Sequence, residues 1–199
     1  MMTSDRLRRL AVPLAALCFG LAVLGTTLFL ISDRGPPGDP ATAIGGSYAL
    51  VTQEGRRVTP QDWRGQPHLV FFGFTHCPDV CPTTLFQMSE VLAAAGERGR
   101  NLRALFVTVD PERDTPQVLK SYLGSFDDRI VGLTGDRPAV DAAIRSFRAF
   151  ARKVPTKDGD YTMEHTSTVY LMDKDGDFVG TFNVNREPEA AAQDLRKYI

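Results

Sequence analysis

The run His68-Leu69-Val70-Phe71-Phe72-Gly73-Phe74 constrains the fold more than any other segment. After His68 it is apolar without alternation. A strand of that kind must be covered on both faces, so it belongs at the centre of a sheet flanked by helices. The segments that follow supply the flanks. Leu85, Met88 and Leu92 recur at helical spacing up to Gly96, behind a Pro82 that suits the first position of a helix. Leu102 to Val109 reads as the next buried strand, ended by Asp110-Pro111. Thr115-Pro116 reads as an N-cap and first-turn proline, opening a helix through Leu123. Arg129 to Leu133 is a short strand, and Val140, Ile144 and Phe147 mark a third helix. A polar loop leads to a hairpin, Ser167 to Met172 and Phe178 to Phe182, turning at Asp175-Gly176. The last helix runs from Pro188. Ahead of all this, Tyr48 to Val51 and Arg57 to Val58 form a hairpin turning at Glu54-Gly55. Strands alternating with helices predict parallel pairing with helices on both faces. The closing hairpin and terminal helix make the expected class α/β: a thioredoxin-like domain with an N-terminal hairpin and an inserted β-α unit.

One transmembrane helix is expected to precede that domain. Leu10 to Ile31 is 22 residues without a charge. As a helix it spans roughly 33 Å, enough for a hydrocarbon core of about 30 Å. Arg6, Arg8 and Arg9 lie before it and hold that end in the cytoplasm. A cleaved signal peptide fits less well: its apolar region is shorter, and Phe29-Leu30-Ile31-Ser32-Asp33 offers no small-residue cleavage site. A lipoprotein reading of Ala15-Ala16-Leu17-Cys18 fails on the bulky Leu17 and the apolar run after Cys18. The expected organisation is a cytoplasmic stretch at 1–9, an anchor at 10–31, a linker at 32–46 and the folded domain at 47–199. Gly35-Pro36-Pro37-Gly38-Asp39-Pro40 keeps the linker extended. The nine residues before the anchor leave no room for a mitochondrial presequence. The expected location is a bacterial inner membrane, single-pass, with the C-terminal domain in the periplasm. With 23 basic and 24 acidic residues, nothing argues for a nucleic-acid partner.

Three cysteines are present. Cys18 lies in the anchor, where it serves as a small apolar residue. Cys77 and Cys81 would lie in an oxidising compartment, and so short a loop makes a poor staple. They follow a buried strand and open a helix, where backbone N–H groups favour a thiolate and lower a thiol pKa. The usual redox pair is C-x-x-C; here three residues intervene. On a helix that spacing puts both sulfurs on one face, one turn apart, where they can close on a soft ion such as Cu(I). A third ligand must come from three histidines. His68 lies at the base of the strand, on its exposed side. His76 adjoins Cys77, an awkward geometry for chelation. His165 precedes a buried strand whose entry faces the cysteine loop. Asp173-Lys174-Asp175-Gly176-Asp177 imitates a calcium loop, but the glycine falls too early and Val184 occupies the place of the final glutamate.

Three blocks resemble the Sco/SenC family of copper proteins: Phe72 to Pro82, Val109 to Pro116, and Asp160-Tyr161 with Glu164-His165-Thr166, Tyr170-Leu171 and Asp175-Gly176. The resemblance spans roughly residues 42 to 199. It implies a thioredoxin-like fold with copper on Cys77, Cys81 and His165, as Cu(I), with Cu(II) left open as a second state. It implies delivery to the Cu(A)-bearing subunit of cytochrome c oxidase, a periplasmic copper donor and a thiol reductant. Asp79 and Asp110 fall in the matching blocks. Asp110 ends a strand on the cysteine edge, where it tunes the site from outside the ligands or acts as a turn residue. Asp79 is a docking charge or a solvated one. Some family members are thought to act instead as thiol–disulfide reductases that keep the oxidase cysteines reduced, using Cys77 and Cys81 as a redox disulfide. A peroxidase of the peroxiredoxin type is disfavoured, because Val70 and Phe74 occupy the proline and Ser/Thr positions of its motif. A reductase has no need of His165, which favours copper.

Overall fold

The computed structural model describes residues 44–198 together with Phe19, Gly20, Leu21, Leu24 and Thr26. Those five are helical, and among the described residues no helix is long and apolar enough to cross a membrane. The rest of the expected anchor, the 1–9 stretch and residues 32–43 of the linker lie outside the described residues. The chain divides into two compact units, residues 1–40 and 41–199.

In the second unit a seven-stranded sheet runs in the order β2-β1-β5-β4-β3-β8-β9. Its strands are β1 Leu50–Thr52, β2 Arg57–Val58, β3 His68–Gly73, β4 Arg103–Thr108, β5 Ile130–Thr134, β8 Val169–Met172 and β9 Phe178–Thr181. β3, β4 and β5 pair in parallel, and the flanking strands pair antiparallel. All six residues of β3 are buried, as an unalternating apolar run at the sheet centre requires. Four helices cover the sheet: α1 Val80–Ala95, α2 Pro116–Leu123, α3 Arg137–Ser146 and α4 Pro188–Leu195. On one face Phe71 meets Phe106, which meets Tyr122 of α2. On the other, Phe72 packs between Phe147 at the end of α3 and Tyr170 of β8. α4 packs along α1. Thr115 caps α2 as expected, its side chain accepting from the Val118 N–H.

Three expectations are corrected. α1 begins at Val80, so Pro82 is its third residue rather than its first. Proline is tolerated there because the first N–H groups of a helix have no intrahelical partner. The polar loop before β8 is a two-stranded ribbon, β6 Ala151–Pro155 and β7 Tyr161–His165, turning at Gly159 with φ +87°. Its strands alternate little and bury only Met163, so no hydrophobic pattern announces them. His68 is buried, not exposed: its ring lies tilted beside that of Trp63, and its Nδ1 meets the Gln66 carbonyl at 3.0 Å.

Candidate metal centre

The cysteine loop grows from the end of β3. Cys77 closes a turn by donating its N–H to the Phe74 carbonyl at 3.3 Å. Cys77 precedes the helix and Cys81 lies in its first turn, so the two are not stacked on one helical face as the spacing suggests. The sulfurs come together by another route: the Cys81 N–H donates to Cys77 Sγ at 3.4 Å. Both cysteines are free. Gly73 makes room for the inner sulfur. A Cβ at that position would lie 2.7 Å from Cys81 Sγ and 2.6 Å from the Phe106 ring.

His165 arrives from the end of β7. Its Nε2 lies 3.5 Å from Cys81 Sγ, and its Nδ1 lies 3.0 Å from the Thr166 carbonyl. A carbonyl only accepts, so Nδ1 carries the proton and the Nε2 lone pair faces the sulfurs. Phe74 and Phe71 fix the ring edge-on, with centroids at 5.7 and 6.4 Å. One ligand atom each from Cys77, Cys81 and His165 all lie within 4.8 Å of one another. His68 and His76 do not join this group. A cavity of about 380 Å³, lined by Phe74, Cys77, Asp79, Thr162 and His165 among others, opens over Cys77 and His165, while Cys81 lies beneath it.

Burial divides the two thiols. Cys77 is 9 % exposed and Cys81 fully buried. Burial pushes the Cys81 thiol well above its ordinary value, which corrects the expectation of a lowered pKa at a helix start. Desolvation at this position outweighs the donors.

Asp79 is exposed at the cap position of α1 and borders the cavity, without capping the helix through its side chain. Asp110 is fully buried; its carboxylate takes the Arg113 Nε–H at 2.5 Å and the Tyr161 hydroxyl at 3.1 Å. Asp114, whose type and position carry no site signal in the sequence, holds the loop from below. The Asp114 carboxylate accepts from the Thr75 N–H at 3.1 Å, the Thr75 hydroxyl at 2.6 Å and the Thr108 hydroxyl at 2.6 Å. It is buried, and burial raises its pKa. Asp114 stands inside the block quoted above, but directly before an N-cap it reads as one more solvated acid.

A thioredoxin-like α/β domain whose first helix opens on two free thiols, with an imidazole lone pair turned onto them, is a thiol protein suited to a soft metal ion. The protein-family comparison matches residues 36–199 to SCO1/SenC. The mitochondrial SCO1 homologue of Homo sapiens is 41 % identical over 159 residues, covering 78 % of this chain and 53 % of that protein. The chain thus matches about half the length of that relative. ScoI of Bradyrhizobium japonicum, solved with copper bound, is 55 % identical with a TM-score of 0.77, covering 79 % of this chain and 100 % of that one. BsSco is a member of the Sco family of cytochrome c oxidase assembly proteins in which a disulfide switch was identified. It is 26 % identical with a TM-score of 0.62, covering 81 % and 95 %. The chain belongs to the SCO1/SenC family.

Proposed function

We propose that this protein carries copper in the assembly of cytochrome c oxidase, holding it on Cys77, Cys81 and His165 and delivering it to the Cu(A) subunit. The observation that carries the reading is the approach of two thiol sulfurs and an imidazole nitrogen to within 4.8 Å. Two thiolates and one imidazole are a soft donor set, which selects Cu(I) over hard divalent ions. Loading requires the Cys81 proton to leave, because the thiolate is the ligand. The copper-bound state of ScoI supports the same reading.

The uncharged run Leu10–Ile31 is proposed to anchor the chain in a bacterial inner membrane with the domain in the periplasm. The copper donor and thiol reductant would meet it there. A tag at Ile199 should be reached by protease only from the periplasmic side, and a soluble product lacking the first 30 or so residues would contradict the anchor.

A second reading uses the same sulfurs for thiol–disulfide exchange. It is favoured by the two sulfurs lying within 4.8 Å of each other, and by the disulfide switch of BsSco. Here Cys77 and Cys81 give up two protons and two electrons to a disulfide of the oxidase subunit. They become a disulfide, and the target becomes two thiols. One substitution separates the readings. In the full-length protein, His165→Ala should weaken Cu(I) binding at least about tenfold, or about 1.4 kcal/mol, and leave disulfide exchange intact. Cys77→Ser or Cys81→Ser should abolish both. Unchanged Cu(I) affinity in His165→Ala would remove the copper reading and leave the reductase.

A further inference from the structure

The ribbon that carries His165 forms a sheet of its own, outside the seven-stranded sheet. Only Met163 of its two strands is buried. Ala151 and Tyr161 pack on the core with Met163, and the polar contacts add direction to that apolar seat. They converge on Arg113, in the loop between β4 and α2.

Arg113 is the hub of a closed ring of three residues, with one link through the Tyr161 main chain. Its Nε–H donates to Asp110 at 2.5 Å, its Nη1–H donates to the Tyr161 carbonyl at 3.1 Å, and the Tyr161 hydroxyl returns to Asp110 at 3.1 Å. The guanidinium also lies 3.8 Å from the centre of the Tyr161 ring, a cation–π contact. A second ring, that of Phe74, lies 5.9 Å from the same guanidinium. Phe74 precedes the cysteine loop and meets the His165 ring edge-on. Arg113 therefore touches one residue on each ligand-bearing segment: Phe74 on the cysteine side and Tyr161 on the histidine side. Lys153 of β6 adds a second tie, with its ammonium over the Tyr161 ring at 4.0 Å and paired to Glu112 at 2.6 Å. Asp110 is fully buried and the Arg113 side chain is 18 % exposed, so this pair is not a solvated surface bridge. The planar guanidinium donates two hydrogen bonds from a fixed fork while its face lies against the Tyr161 ring; a lysine ammonium has donors but neither the fork nor the face.

We propose that Arg113, held by Asp110 and stacked on Tyr161, is a positioning residue that sets His165 against the two cysteines before copper arrives. The proposal rests on the copper reading given above. Arg113 is not itself a ligand; it acts through the segment that carries one. A ligand ordered in advance does not have to be ordered by the metal, and that is affinity gained without a new metal contact.

The test is a double-mutant cycle on the full-length protein in detergent, using Cu(I) competed against a chromophoric chelator. Arg113→Lys keeps a cation beside Asp110 and loses the fork. It should weaken Cu(I) binding about tenfold, the lower end of what supporting residues around metal ligands contribute. Tyr161→Phe keeps the ring and loses the hydroxyl bond, for a smaller loss. Without metal, amide exchange at residues 161–166 should quicken in Arg113→Lys while that of β3 stays unchanged. In a His165→Ala background the Arg113→Lys effect on copper should vanish, since a residue acting only through His165 has nothing left to act on. A merely structural role would give the same loss in both backgrounds and would overturn the proposal, as would unchanged affinity in Arg113→Lys. Should Arg113→Lys fail to accumulate, Tyr161→Phe carries the same cycle with the same criteria. If His165→Ala alone leaves copper binding unaltered, the copper reading falls; if it weakens binding and Arg113→Lys does not, only the positioning role falls.

Discussion

Cys81 is wholly buried beside Gly73 and Phe106, whereas His165 rides on a ribbon that buries one residue of ten. The cysteine half of the site is an outgrowth of the core: a fully buried strand, a helix start, and Asp114 beneath the loop. The histidine half is held by directed polar contacts, one buried methionine and the edge-on rings of Phe71 and Phe74. What the difference teaches is where each half can be broken. Core-built geometry resists surface changes and fails with the fold. Contact-built geometry can be lost while the fold stands.

The largest effect on stability is expected beneath the cysteine loop. Asp114→Ala leaves two buried or half-buried hydroxyls and the Thr75 N–H without their acceptor. Stranded donors cost about 1–3 kcal/mol each, offset in part by removing a carboxylate that burial disfavours, so about 3 kcal/mol should be lost in urea unfolding. A loss under about 1 kcal/mol would show that the loop does not depend on the core in this way.

A pH profile sharpens the comparison further. The Cys81 thiol is raised by burial, so the folded chain keeps its proton where the unfolded chain releases it. Its contribution is fully present below the unfolded value near 8.5 and is lost as pH rises beyond it. Metal-free stability should therefore fall between about pH 8.5 and 10 by up to about 1.4 kcal/mol per unit. Cys81→Ala should flatten that slope, and His165→Ala should leave it in place. A slope unchanged in Cys81→Ala would place its origin elsewhere.

The smallest effect is expected on the outer face of the ribbon. Arg152 pairs with Glu164 at 2.6 Å, but the two side chains are 63 % and 50 % exposed. Solvent screens such a pair, so Arg152→Ala should cost no more than about 0.5 kcal/mol and leave Cu(I) affinity unchanged. A tenfold loss of affinity would mean that the whole ribbon, and not the Arg113 side of it, positions His165.

Legibility in the sequence followed the same division. The buried strands, the Thr115 cap and the three residues that meet at the site were readable, because apolar runs, caps and scarce residue types leave local marks. The ribbon was not, since β6 and β7 carry no periodic apolar pattern and are ordered by partners distant in sequence, such as Arg113 and Tyr161. The spacing of Cys77 and Cys81 imitates a helical repeat, and spacing alone does not reveal that the helix starts after Cys77. The direction of the Cys81 shift carries no sequence signal either. A helix start favours a thiolate in every sequence, but whether burial outweighs it depends on how deep the first turn sits. His68 and Asp114 were missed for a related reason: polar residues give no sequence signal of burial when their partners come from other strands and loops.

Gly73 contributes no atom to the site, yet the site exists only because that position is empty. Any other side chain begins with a carbon that overlaps both a sulfur and an aromatic edge. The chemistry of the thiols could in principle be varied by many neighbours, but the space they occupy is set by one absence. In a survey of all single substitutions, position 73 should therefore behave as a member of the metal centre in its intolerance. A search for functional residues by chemical type alone would pass it by.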